Sequence, residues 1–294
     1  MSHLSARVVP AYAKLNLSLS VVGRRADGFH DIDSILVPID WHDLVGVSIS
    51  LATTATVALK VTGPAASGVP ADDSNLTVRA ARALVGIAGR PLDVRLWLDK
   101  AVPHGAGLGG GSGDAAAVFR AGTAALAAMG VVIDRGELAA AALGIGSDIP
   151  ALLETGTHRA RGRGERLERL PTPHLHVVVV STVPSSTAAS YGALNPDERH
   201  DDGRAARLAA LLAAGRAPEP AVMGSALEPA ASRADPAVAD AVRRVRATLP
   251  EIEWHMTGSG GALFAVVADA DASERLAAEM RRSGCNARAC RTIG

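Results

Sequence analysis

The sequence predicts an α+β protein of two domains, on three observations. Apolar and polar residues alternate with period two in several runs of the first hundred residues, the signature of half-buried strands. A glycine-rich stretch then opens an Ala-rich helical pattern, and composition shifts near residues 155–170. The boundary is placed at 160, giving domains 1–160 and 161–294. A chain of 294 residues suits two domains. Hydrophobic residues make up 48%, but aromatics only 3%, so the core is built from Ala, Val, Leu and Ile. The formal net charge is zero, which argues against nucleic-acid binding and leaves any anionic ligand to local groups. No run of 18 apolar residues and no signal-peptide pattern is present, and the two cysteines, Cys285 and Cys290, read as reduced thiols. A cytoplasmic protein without a membrane partner is expected, as a monomer or homodimer.

The elements follow in order. Residues 7–22 alternate: Leu15, Leu17, Leu19 and Val21 share one face of a strand, and Lys14, Asn16, Ser18 and Ser20 the other. Taken alone, that polar face reads as the solvated side of an edge strand. A turn at Asp27-Gly28 presents Phe29-His30, an aromatic and an imidazole suited to a planar ring or a phosphate. Asp40-Trp41-His42-Asp43 precedes a second strand (Val45 to Leu51), and Val57, Leu59 and Val61 mark a third. Asp73-Ser74-Asn75-Leu76 opens a helix that stops at Gly89. Val94, Leu96 and Leu98 form a strand ending at Asp99-Lys100. A helix follows over 112–129, and Asp134 with Glu137 caps another over 135–143. Gly146-Ser147-Asp148-Ile149-Pro150 starts a short apolar segment, and Asp148 by itself reads as its N-cap.

The second half reads as a hairpin over 155–170 carrying Arg159, Arg161 and Arg163, which are expected to be solvated. Next come a buried strand over 176–180, a short helix carrying Tyr191 and a polar loop over 195–203. Helices over 204–214 and 236–248 precede a second glycine turn, Thr257-Gly258-Ser259-Gly260-Gly261. A strand (262–267), a helix (273–283) and a last strand (286–291) complete the chain.

The densest signal is Pro103-His104-Gly105-Ala106-Gly107-Leu108-Gly109-Gly110-Gly111-Ser112-Gly113-Asp114, with six glycines in nine residues. Glycine backbones admit close approach, and a helix N-terminus presents unpaired N–H groups and a positive dipole end. Together they suit phosphate. No Gly-Lys-Ser/Thr ends the loop, so it is not a Walker A sequence. Gly105, Gly107 and Gly110 match the dinucleotide spacing, but the acid at the expected distance, Asp134, is better read as a helix cap. A purely structural turn needs one or two glycines, not six.

From Pro103 through Gly107-Leu108-Gly109-Gly110-Gly111-Ser112, the stretch resembles the second motif of the GHMP kinases. Ala11-Tyr12-Ala13-Lys14-Leu15-Asn16-Leu17 and Gly23-Arg24-Arg25-Ala26-Asp27-Gly28-Phe29-His30 are similar to the first motif of the branch that phosphorylates 4-diphosphocytidyl-2-C-methyl-D-erythritol. Gly146-Ser147-Asp148-Ile149-Pro150 and Thr257-Gly258-Ser259-Gly260 resemble two further motifs, in order and spanning nearly the whole chain. Three departures stand out. Gly113 replaces a second hydroxyl near the phosphates, Phe29 stands where Tyr is common, and Ser225-Ala226 stand where Asn-Asp is usual.

The resemblance implies a ribosomal-S5-domain-2-like nucleotide domain and a C-terminal ferredoxin-like α/β plait, with the substrate in the cleft between them. It implies transfer from ATP, with Mg²⁺, to the 2-hydroxyl of a small-molecule cytidyl diphosphate substrate in the non-mevalonate isoprenoid route; homoserine or mevalonate kinase and a non-catalytic homologue are the alternatives. Lys14 and Asp148 are the implied catalytic pair. The implied ATP site is Pro103, Gly105, Gly107, Leu108, Gly109, Gly110, Gly111, Ser112 and Gly113, with Asn75 and Lys100 near the adenine and Ser112 a candidate for Mg²⁺. Phe29, His30 and Tyr191 are implied for the cytosine, although Tyr191 alone also fits a core aromatic. Asn16, Thr187, Gly258, Ser259 and Gly260 are implied for the rest of the substrate.

Overall fold

The computed structural model describes residues 5–294, which divide into two compact units. The first comprises the chain up to Ala13, Trp41–Pro103 and Gly109–Glu154; the second comprises Lys14–Asp40, His104–Leu108 and Thr155–Gly294. This division is not a cut at 160. Two strands, β1 (Ser5–Arg24) and β2 (His30–Leu51), are long enough to give residues to both units.

In the first unit the strand order is β3-β4-β2-β1, with β3 spanning Thr56–Thr62 and β4 Leu92–Asp99. β4 alternates as its sequence demands: Leu92, Val94, Leu96 and Leu98 are buried, while Trp97 is exposed. Four helices cover the buried face: α1 (Leu76–Ala88), α2 (Gly110–Ala128), α3 (Arg135–Ile145) and α4 (Ile149–Leu153). Each fully buried Val, Leu or Phe there contributes about 1.5–3 kcal/mol. The small residues of α2 serve close packing: a Cβ on Gly122 would lie 2.2 Å from Leu84 Cδ2 of α1. Asn75 caps α1, its Oδ1 accepting from Thr77 N at 2.8 Å. Asp134 caps α3 as expected.

In the second unit β5 (Thr157–Gly162) pairs with β2, and β6 (Arg166–Leu170) with β5. The other strands are β7 (His176–Ser181), the two-residue β8 (Gly224–Ser225) and β9 (His255–Met256), β10 (Ala262–Val267) and β11 (Asn286–Arg291). β8 runs parallel to β1, with Ser18 opposite Gly224. The helices are α5 (Thr187–Gly192), α6 (Arg204–Ala213), α7 (Glu228–Ala234), α8 (Pro236–Thr248) and α9 (Ala270–Arg282). Strands β11-β7-β10-β9 form an antiparallel sheet, and α8 and α9 bury Val242, Val245 and Met280 against Val178, Val180 and Leu263. That order, with helices on the crossovers, is the α/β plait.

Three expectations are corrected. The polar face of β1 is not solvated: Lys14 and Asn16 are each 3% exposed, because Gly107 of the glycine loop and Thr257 of the C-terminal turn lie against them. Strand β2 begins at His30, well before the alternating run, and α7 had no sequence signal. Of the three arginines expected to be solvated, Arg161 is exposed beside Glu168, while Arg159 makes a bidentate pair with Asp33 and Arg163 lies on Phe29. Among the described residues no helix is long and apolar enough to cross a membrane. Both cysteines are free, and burial pushes the Cys290 thiol up to about 12, which keeps it protonated and inert.

Candidate active site

In the second unit the glycine loop and the C-terminal glycine turn interlock backbone to backbone. Gly107 has φ +72°, and a Cβ there would stand 2.5 Å from the Gly260 carbonyl oxygen and 2.8 Å from that of Thr257. A Cβ on Gly258 would in turn lie 2.9 Å from the Gly107 oxygen. Only glycine fits both sides of this contact. Lys14 is fastened to the same loop. Its N–H donates to the Leu108 carbonyl at 2.9 Å, and its Nζ donates to the Gly107 carbonyl at 3.0 Å and to Asn16 Oδ1. Asn16 is fixed at both ends of its side-chain amide and at its N–H: its Nδ2 donates to Ser34 Oγ at 2.8 Å and its N–H to Thr257 Oγ1 at 2.8 Å. The period-two reading placed Lys14 and Asn16 side by side, and here they touch.

Hydroxyls hold the C-terminal turn from outside. Ser225 Oγ donates to the Gly258 carbonyl at 2.6 Å, Ser190 Oγ donates to that of Ser259 at 2.8 Å, and Thr187 Oγ1 lies 2.8 Å from Ser259 Oγ. Ser225 therefore has a definite task at a position where the motif departs from its usual form.

In the first unit, α2 starts at Gly110 after Gly109, which has φ +68° and supplies no side-chain cap. The N–H groups of its first turn therefore have no side-chain cap, the arrangement that suits an anion. Gly111 meets nothing closer than Leu76 Cδ1 at 3.8 Å, so its missing side chain keeps this end of the helix open. Ser112 lies beside the Gly146–Asp148 turn, its Oγ 3.8 Å from where a Gly146 Cβ would be. Gly113 faces the other way: a Cβ there would sit 2.9 Å from the Tyr12 carbonyl oxygen. The absent hydroxyl at 113 is therefore a matter of helix-on-strand packing. Asp148 precedes α4 but makes no capping hydrogen bond to it, so the simple N-cap reading of this residue fails.

The two residues expected near the adenine are engaged in structure. Asn75 caps α1 and also donates from Nδ2 to the Pro70 carbonyl at 2.7 Å. Lys100, 1% exposed, donates to Asp114 Oδ2 at 2.8 Å and to Asp43 Oδ2, while Asp43 Oδ1 accepts from the N–H groups of Ala101 and Val102. Burial works against the Lys100 charge, but the two carboxylates outweigh it and raise its pKa. Burial pushes the Asp114 carboxyl up to about 7 against the pull of Lys100, and the Asp43 charge adds to the rise. This cluster lies under the start of α2, where a Cβ on Gly110 would be 3.0 Å from Lys100 Nζ.

The three residues implied for the cytosine, Phe29, His30 and Tyr191, all lie in the second unit. His30 and Tyr191 stack with centroids 5.0 Å apart and planes at 29°. His30 Nε2 is buried without a hydrogen-bond partner. Burial, and then the charges of Arg199 and Arg24, hold its imidazole below the ordinary range. Phe29 is 47% exposed, and the Arg163 guanidinium lies 3.5 Å from its ring centroid. Sequence reasoning left Ser34, Thr257, Asp43 and Asp114 without roles. Each acts through a partner far away in the chain, so no local spacing signals it.

The chain matches the model of the GHMP kinases N terminal domain over residues 75–156 and that of GHMP kinases C terminal over residues 196–286. It is 35% identical over 280 residues to the 4-diphosphocytidyl-2-C-methyl-D-erythritol kinase of Pelotomaculum thermopropionicum, covering 93% of each chain. To the protein of the same name from Salinispora tropica it is 37% identical, covering 91% of this chain and 85% of that one. A crystal structure of 4-(cytidine 5'-diphospho)-2C-methyl-D-erythritol kinase aligns at a TM-score of 0.76 with 32% identity, covering 98% of this chain and 100% of that one. Homoserine kinase from Cytophaga hutchinsonii, at TM-score 0.66 and 16% identity over 98% of this chain and 94% of its own, shares the fold.

Proposed function

Because the chain belongs to the 4-diphosphocytidyl-2-C-methyl-D-erythritol kinase family of the GHMP kinases, we propose that it moves the γ-phosphoryl group of ATP to the 2-hydroxyl of 4-diphosphocytidyl-2-C-methylerythritol. The products are the 2-phosphate and ADP. The observation that carries the reading is Lys14, a buried ammonium fastened to the carbonyl of Gly107 within the glycine loop. A cation buried beside a phosphate-binding backbone is placed to offset charge on a transferring phosphoryl group.

In this reading Asp148 orients the acceptor hydroxyl and takes its proton as the new O–P bond forms and the bond to the ADP oxygen breaks. Phosphoryl transfer runs through a loose transition state, so the proton leaves late and Asp148 need not be a strong base. The first-turn N–H groups of α2 and the loop backbone hold the phosphates. Asn75 and Lys100 support the nucleotide site by fixing its walls. Phe29, His30 and Tyr191 receive the cytosine, and Asn16, Thr187 and the turn at Gly258–Gly260 the remainder of the substrate.

Among the described residues no cluster of three His, Cys, Asp or Glu is placed to hold a metal. One hydroxyl at an uncapped helix start nevertheless fits Mg²⁺, which keeps most of its waters and is bound largely by phosphate. Ser112 is the residue that would hold it. When bound, Mg²⁺ neutralises phosphate charge.

The test is to supply ATP and Mg²⁺ with each acceptor in turn and measure ADP. Turnover with the cytidyl methylerythritol alone is the expected result. Turnover with homoserine or mevalonate instead overturns the proposal, and binding without turnover would mark a sensor.

A further inference from the structure

The turn that carries Phe29 is fixed in its backbone and open in its side chain. Asp27 Oδ1 accepts from Phe29 N–H at 3.1 Å, the Phe29 carbonyl accepts from Arg25 N–H at 2.8 Å, and Gly28 supplies the φ of +86° that closes the turn. Nothing in that network touches the ring. Across from it, the tip of the β5–β6 hairpin is equally fixed. Gly162 and Gly164 take φ of +73° and +123°, and Glu165 Oε2 accepts from Arg163 N–H at 2.6 Å. Two rigid turns thus present one ring and one guanidinium to each other, 3.5 Å from centroid to cation.

Arg159, Arg161 and Arg163 of the hairpin separate by partner. Arg159 and Arg161 are in ion pairs with Asp33 and Glu168. Among the described residues Arg163 is in none; its Nε is buried without a hydrogen-bond partner, and its plane lies on the aromatic. A guanidinium on one face of a ring fixes the ring's rotation and leaves the opposite face for another planar group. Asp27 acts on the Arg163 charge from the same turn that carries Phe29, which helps hold the guanidinium over the ring.

We infer that Arg163 is a positioning residue for the nucleobase: it holds Phe29 as the stacking floor of the base site and so tunes selection of the cytidyl substrate. The inference rests on the function proposed above, and its test begins only once the unmodified protein shows turnover with that substrate, so a failure of the function is seen first.

The experiment measures kcat and both KM values for Arg163→Ala, Arg163→Lys and Arg163→Gln, alone and in a Phe29→Ala background. Arg163→Ala is expected to raise KM for the cytidyl substrate about tenfold, the range of a partly desolvated cation–π contact. The KM for ATP and kcat stay within about twofold. Arg163→Lys recovers part of the loss, because it restores charge but not planarity. In the Phe29→Ala background the Arg163 changes have no further effect, since the ring they hold is gone. An unchanged cytidyl KM, effects that simply add to those of Phe29→Ala, or equal losses for both substrates each overturn the inference. So does a fall in cytidyl KM, which would mean that the guanidinium covers the face the base needs. If Arg163→Ala melts early, Arg163→Gln, which keeps a planar group on the ring, gives the same split.

Discussion

The second unit contains two regions built on opposite principles, each proposed above to meet the substrates. Around Gly107 and Gly258 the structure is backbone against backbone, with carbonyl oxygens where side chains would stand. Around Phe29 it is side chain against side chain, on turns whose backbones are closed by their own hydrogen bonds. In the first region structure and function occupy the same atoms, so any addition disturbs both. In the second a ring can be removed while the turn beneath it stays intact. Losses should therefore be joint in one region and separable in the other.

The largest effect tests the joint side. Gly107→Ala meets a φ of +72° and two carbonyl oxygens within 3 Å. A left-handed backbone costs a residue with a Cβ roughly 1–2 kcal/mol, and overpacking about 1–3 kcal/mol more. Thermal melts should therefore show a loss of roughly 2–5 kcal/mol, with kcat falling at the same time because Lys14 is fastened to the Gly107 carbonyl. A stable Gly107→Ala protein with normal kcat would break the comparison. Asp148→Asn sharpens it from the other direction. The change keeps the side chain's size but removes its charge, and should lower kcat by about 100-fold or more with little change in ATP affinity. Near-normal turnover would remove Asp148 from the chemistry.

The same contrast explains what was legible in the sequence. Glycine is legible because its conformations are unusual: a cluster of six within nine residues marks a backbone that must come close to something. Period two placed Lys14 and Asn16 on one face, and the Asp134 cap followed from Glu137 three residues on. The start of β2 was hidden because Asp31, Asp33 and Asp40 interrupt the alternation; Asp33 is buried there only because Arg159, 126 residues later, pairs with it. Lys100 is placed near the adenine only by the resemblance, and its buried partner Asp43 lies 57 residues earlier, beyond any spacing rule. Long-range ion pairs of this kind decide which charges are available to a ligand, and a sequence shows only that the charges exist.

On the separable side, Phe29→Ala removes a ring that is about half exposed and is not part of any core. Its stability effect should be small, within about 0.5 kcal/mol, as for other surface changes. The KM for the cytidyl substrate should rise about tenfold, the scale of one base-stacking contact, while the KM for ATP holds. Equal rises for both would place Phe29 outside the base site and remove the distinction between the two regions.

The smallest expected effect concerns protons. His30 lies against Tyr191, and burial, followed by the Arg199 and Arg24 charges, lowers its pKa from the ordinary 6.5. The native imidazole therefore holds its proton less tightly than the unfolded chain does, so its contribution to stability is present above 6.5 and is lost as pH falls. At neutral pH it is uncharged, with one ring nitrogen available to accept and the other to donate. The cytidyl KM should be flat on the alkaline side and rise only as acid protonates the ring and removes the acceptor. Arg24→Ala takes away a repelling cation and should move the onset of that rise to higher pH. His30→Gln should abolish the rise while leaving kcat unchanged. A rise that survives His30→Gln belongs to another group, and the imidazole would then serve the base site only as a surface against Tyr191.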